Sequence, residues 1–178
     1  VYKPMPGVAV GDRVDIEDAT PVDYFGQREL SNVTNVSVSS TGNAAPPPVM
    51  VAPADIATGG TQAITHEGVV VQVTNVTVTN LAPPLGTGDR APTNEFEVTG
   101  GLRVDDFLYL MTPAPALGQT FAALSGILTY RNNNNKLEPR SAADVMEGPA
   151  ILTGFSPSPA FIFQGQTGPT VPTPLSVT

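Results

Sequence analysis

The sequence predicts an all-β protein, and three observations carry that prediction. Nineteen prolines and 17 glycines are spread through a 178-residue chain rich in Val and Thr, the composition of short strands joined by frequent turns. Apolar residues recur with a period of two rather than in helical spacing. Two near-copies of one phrase, "NVTNVSVSS" from Asn32 to Ser40 and "QVTNVTVTN" from Gln72 to Asn80, combine that alternation with a skipped beat.

The skip predicts a kinked strand. Successive side chains of a strand face opposite sides, so Val69, Val71 and Val73 share one face while Val76 and Val78 fall on the other parity. Either the strand turns its hydrophobic face over, or an extra residue near Thr74–Asn75, a β-bulge, resets the alternation and lets all five valines meet one core; the bulge is the better explanation. Val33, Val36 and Val38 show the same skip at Thr34–Asn35, which predicts a second strand bent in the same way. The phrases also hold N-x-S/T sequons at Asn32, Asn35 and Asn75. Asn at a bulge or turn already accounts for them without a glycan.

A longer repeat sets "GDRVDIEDATPVDYFGQREL" against "GQTFAALSGILTYRNNNNKL". Gly11 matches Gly118 and Leu30 matches Leu137 at an offset of about 107 residues, with Tyr24 and Tyr130 one residue out of step. Each segment has a Tyr before a tight hairpin, closed by Gly26 in one and by Asn132 to Asn135 in the other, residue types that tolerate positive φ.

Between the two copies lies a complete unit. "EGVVVQVTNVTVTN" is the long bent strand, "NEFEVTGGLRVDDFLYL" two shorter strands broken at Gly100–Gly101, "FAALSGILTY" a fourth, and "KLEP" the last. Five strands in this order describe a small Greek-key barrel of the OB type. "LAPPLGTGDRAPTN" is expected to be a long exposed loop. "SAADVMEG" is the one stretch read as helical, with Ser141 as N-cap. The expected organisation is a partial OB-like unit over residues 1–57, a complete barrel over 58–147, and a Pro-rich tail, linker or docking strand over 148–178. Half a barrel leaves open strand edges that seek partners.

Charge and cysteine narrow the function classes. Eight Lys and Arg against 16 Asp and Glu make a net charge of −8, which disfavours nucleic acid and anionic lipid as partners. No apolar run approaches the roughly 18 residues of a membrane-spanning helix. Without cysteine the chain has no disulfide and no thiolate ligand or nucleophile. Its low charge content, with many Thr, Ser and Asn, fits a secreted or surface protein, and a start at Val1 reads as a processed or cut chain.

At "GDRVDIEDATPVDYFGQREL", "PVMVAPADIA", "EGVVVQVTNVTV", "FEVTGGLRVDDFLY" and "LEPRSAADV", the chain resembles the OB-fold repeats of secreted bacterial proteins. These repeats accompany extracellular endonuclease/exonuclease/phosphatase-type nucleases and occur in surface proteins of myxobacteria and their relatives. The resemblance covers roughly residues 7–147 and implies an extracellular location rather than an activity, because catalysis in those nucleases belongs to a separate domain. The stretch "GPAILTGFSPSP" looks like the start of an Ig-like domain.

Catalytic and metal readings find little support in the residues. The one histidine, His66, beside Glu67, is expected at the surface near the long strand's start. A Ser-His-Asp triad would have to use it, and no G-x-S-x-G elbow is present. Asp12, Asp15, Glu17 and Asp18 offer hard oxygen ligands for calcium, as do Asp105 and Asp106. Alternation turns Asp15 and Glu17 to solvent, which favours a solvated edge, and no cofactor or metal is expected. A ligand face of the OB kind would draw on Phe96, Arg103, Phe107 and Tyr109. The expected function is a non-enzymatic extracellular or cell-surface module acting through protein contacts, by self-association into an assembly or with other surface proteins. The alternative is an accessory nucleic-acid- or glycan-binding domain of a secreted nuclease.

Overall fold

The computed structural model of the chain describes residues 7–149. Four strands come first: β1 (Arg13–Glu17), β2 (Thr20–Tyr24), β3 (Gln27–Ser31) and β4 (Asn35–Ser40). They are followed by β5 (Val49–Met50) and two single-turn helices, α1 (Pro53–Ile56) and α2 (Ala63–His66). The long β6 (Val70–Asn80), β7 (Phe96–Val98), β8 (Leu102–Val104), β9 (Thr120–Arg131), β10 (Asn134–Glu138) and β11 (Val145–Glu147) complete the order. The molecule is all-β.

Five of these strands close a barrel. β6 pairs antiparallel with β7, β7 with β8 and β10 with β9, while β8 and β10 run parallel and β9 returns antiparallel to β6. That is the OB-type Greek key. Its interior holds Val71, Val73, Val76 and Val78 of β6 with Phe96, Val98, Leu102, Val104, Phe121, Leu124, Leu128 and Leu137. Each such side chain stabilises the barrel by about 1.5–3 kcal/mol through burial.

Val71, Val73, Val76 and Val78 of β6 reach this core and Val69 packs partly buried against it, as the skipped alternation predicts, but by a different device. A one-residue bulge would offset β6 against β9; instead the pairing runs one for one, Val73 opposite Leu124 and Val76 opposite Phe121. Asn75 adopts left-handed backbone at φ 52 and turns the strand over. β9 changes parity at the same level, since its core residues step from Phe121 to Leu124. Two strands that flip together keep their register. The bulge in β6 lies further on, against β7, between Val78 and Asn80.

The near-copy does not repeat this shape. There the left-handed residue is Asn32, at φ 51, and the phrase divides into a short link after β3 and then β4. No second bent strand forms at Thr34–Asn35. A continuous bend requires a second partner on which the turned-over half can pack, and β4 pairs only with β1 among the described residues.

The longer repeat is visible in the pairings. β2 and β3 form a hairpin through Phe25–Gly26, and β9 and β10 form one through Asn132–Asn133, each with both turn residues at positive φ. Asn134 and Asn135 therefore belong to β10 rather than to the turn. β4 pairs with β1 much as β11 pairs with β9. The front four strands thus match the last strands of the barrel, without counterparts of β6, β7 and β8 among the described residues.

Three expectations change. The boundary placed between residues 57 and 58 falls inside the barrel's packing, because β5 pairs with β6 and Ile56 of α1 is fully buried in the core. "SAADVMEG" is a 3₁₀ turn at Ala142–Asp144, capped by the Ser141 hydroxyl, which runs straight into β11. The helical residues lie instead in α1 and α2, single turns too short to leave a periodic signal. The tail expected to act as linker, docking strand or start of an Ig-like domain falls almost wholly beyond residue 149, outside the described residues.

Candidate functional site

Alternation places Glu97 of β7, Arg103 of β8, Lys136 of β10 and Thr129 of β9 in one row across the outside of the barrel, each opposite the next in register. On an OB barrel such a row is the open face. Here it is covered, because the loop from residue 81 to 95 folds back over it and brings Asp89 and Glu95, while Asp105 follows directly from β8. Lys136 is only 2% exposed, and its ammonium donates to Glu95, with Asp105 Oδ2 at 3.3 Å and Asp89 Oδ1 at 3.8 Å. Arg103, also buried, donates from Nη1 to Glu95 Oε2 at 3.0 Å and lies 3.9 Å from Glu97 Oε1 through Nε.

Burial and charge oppose each other in this cluster. Burial pulls the Lys136 ammonium down, but the hydrogen bond to Glu95 and the charges of Asp105, Glu95 and Asp89 more than offset it and hold the group above its ordinary range. Burial pushes Asp105 up, opposed only in part by Lys136. At the end of the row Glu138 is completely buried; Thr129 donates to its Oε1 at 3.0 Å, while its Oε2 has no partner. Burial, reinforced by Asp105, pushes its carboxyl up to about 7. The cluster carries the ions a ligand face would offer, but its two cations are engaged by four carboxylates, and these pairs fasten the covering loop.

The four expected face residues are not brought together. Phe96 lies in the barrel core, Arg103 is committed to Glu95 and Glu97, and Tyr109 packs half-buried against the core. Phe107 remains outside, 60% exposed, with the Arg131 guanidinium 3.8 Å from its ring centre. Lys136, Glu95 and Glu138 are the residues sequence reasoning missed. "NKLE" reads as an alternating strand with Lys and Glu turned to water, and only the loop's path reverses that reading.

The loop itself, expected to be exposed, is tied to the β9–β10 turn. Thr87 donates its backbone N–H to the Asn132 carbonyl at 3.1 Å and receives Asn132 Nδ2 on its own carbonyl at 3.0 Å and Asn133 Nδ2 on its hydroxyl at 2.8 Å. Beside this turn the β2–β3 hairpin tip leans on the barrel. Gly26 lies over the Tyr130 ring so closely that a Cβ there would overlap it. Glu67 Oε1 accepts from the Arg28 backbone N–H at 3.0 Å and tethers the same hairpin. Between the two turns opens a cleft of about 380 Å³.

Asp15 and Glu17 face solvent on β1, as alternation requires. Asp12 accepts from the Ala9 N–H, Asp18 from the Thr34 hydroxyl and Glu17 from Asn35 Nδ2. No group of three or more potential ligands is arranged to hold a metal among the described residues. His66 ends α2 rather than opening the long strand, its Nδ1 3.0 Å from the Gln62 carbonyl. No helix among the described residues is long and apolar enough to cross a membrane. The chain has no match among protein-family models, curated proteins or solved structures.

Proposed function

We propose that this chain is a non-enzymatic, extracellular or cell-surface module that acts through protein contacts, associating with further copies of itself in a structural assembly. The observation that carries this reading is the front of the molecule. β1 and β4 form a two-stranded sheet of their own, with Val14 opposite Val38 and Ile16 opposite Val36. That face is apolar and only partly covered: Val14, Ile16 and Val36 are half-buried and Val38 is exposed. A two-stranded ribbon is marginal in water until its apolar face is packed. In the barrel the β9 residue matching Val14, Phe121, faces the interior. A second copy that lays its own ribbon on this face buries both apolar surfaces at once, by an isologous contact or by adding a strand to the ribbon's edge. The extracellular placement is supported by the low charge content and the resemblance to secreted repeats.

Light scattering coupled to size exclusion tests the reading. The mass is expected to rise with protein concentration, and Ile16→Lys is expected to hold the chain at the monomer mass while leaving the barrel folded. A strictly monomeric native chain at high concentration ends the proposal.

A further inference from the structure

The tip of the β2–β3 hairpin carries a residue that turn chemistry disfavours. A two-residue hairpin turn with positive φ at both central positions, as here, favours Asn and Gly there. The turn between β9 and β10 uses Asn132 and Asn133, but this one places Phe25 at φ 52 before Gly26 at φ 88. A bulky side chain in the left-handed region is strained, and strain of that kind concentrates at binding surfaces. The ring does not repay it by packing, since Phe25 is 83% exposed. Tyr24 beside it is 57% exposed and meets Phe25 edge-on, ring centres 4.8 Å apart.

These rings form one wall of the cleft of about 380 Å³ described above. Tyr130 lies on the barrel side, and Gln27, Asn132 and Asn133, with Thr87 and Arg131, line the remainder. Thr87 fixes the two Asn side chains through their Nδ2 atoms, so their amide oxygens are held in place as acceptors. Arg131 and Asn132 also border a neighbouring cavity of about 200 Å³, which extends the surface to Phe107 under the Arg131 guanidinium.

We propose that this cleft binds a neutral oligosaccharide. Its lining combines exposed aromatic faces, on which the C–H faces of a sugar ring stack, with fixed amides that exchange hydrogen bonds with hydroxyls at the ring's edge. The cleft's one charged lining residue is Arg131, whose guanidinium is laid over Phe107. The neighbouring cavity sets Asp89, Glu95, Asp105 and Asp106 against Arg90, Arg131 and Lys136 in a chain that carries −8, a balance that disfavours an anionic ligand. The proposal does not depend on the β1–β4 ribbon or on self-association.

Affinity electrophoresis in native gels tests it, with dextran, a mixed-linkage β-glucan or a galactomannan cast into the gel, and a single-stranded DNA oligonucleotide assayed in parallel at low salt. At least one polysaccharide is expected to retard the native chain, with an affinity that changes little as salt is raised. Phe25→Asn removes the ring and places a residue suited to positive φ in the turn, so it is expected to weaken retardation about tenfold while the thermal midpoint holds or rises. Tyr24→Ser is expected to act in the same direction. Absence of retardation by all three polysaccharides overturns the proposal, as does unchanged affinity in Phe25→Asn. Salt-sensitive binding to the oligonucleotide alone, or loss of the assembled mass in Phe25→Asn without any glycan binding, also overturns it in favour of a nucleic-acid or a protein surface.

Discussion

At the scale of single residues, Glu138 has the clearest consequence. Its carboxyl titrates at about 7 in the folded chain against 4.5 for an ordinary glutamate, so the native state holds the proton more tightly than the unfolded state. Stability is therefore lost as pH rises from about 4.5 through 7, and the penalty is complete above the folded value. Glu138→Gln keeps the shape without the charge. It is expected to be the more stable protein at pH 8 by on the order of 2–3 kcal/mol and to match the native chain at pH 4, as read by urea unfolding at the two pH values. Lys136 works in the opposite sense. Lys136→Met leaves Glu95, Asp105 and Asp89 without their shared cation and is expected to cost about 3–5 kcal/mol at pH 7, the cost of stranding buried charge. Neither residue was legible in the sequence, because a Lys and a Glu flanking Leu137 in a strand look solvated until a distant loop covers them.

At the scale of elements, the two valine phrases show how far local sequence reaches. Both contain Val-Thr-Asn-Val, yet only Asn75 takes left-handed backbone, and the corresponding Asn35 begins an ordinary strand. The expected outcome is asymmetric. Asn75→Val should cost about 1–2 kcal/mol because a β-branched residue resists that conformation, and Asn35→Val should cost less than about 0.5 kcal/mol, as surface changes do. Thermal unfolding of the two variants side by side decides it. Alternation identified the core face of β6 correctly, since apolar side chains must all reach one interior. It misassigned the mechanism because a bulge and a matched turnover of two neighbouring strands leave the same valine pattern. The β2–β3 hairpin was legible as a hairpin, from Tyr24 to Gly26, but not as one wall of a cleft, which depends on Gly26 resting on Tyr130.

At the scale of the whole molecule, the barrel and the front ribbon differ in what supports them. The barrel has a closed sheet and its own core, which includes Ile56 and the valines of β6. A chain beginning at residue 45 keeps β5, both helices and every barrel strand. It is expected to unfold cooperatively with a midpoint near that of the native barrel. The same truncation removes the β1–β4 face and is expected to abolish the rise of mass with concentration. A truncated chain that still assembled would move the self-association surface onto the barrel.

Taken alone, the sequence determined the all-β class, the five barrel strands and their order, the matching hairpins and the apolar face of the long strand. These follow from local alternation and turn chemistry, which act over a few residues. Tertiary structure alone decided that the loop from 81 to 95 closes the expected ligand face, that Arg103 and Lys136 are consumed by internal carboxylates, and that two hairpin tips meet to form a cleft. Those outcomes depend on contacts between segments tens of residues apart, where burial rather than spacing decides whether a charge is a site or a fastening.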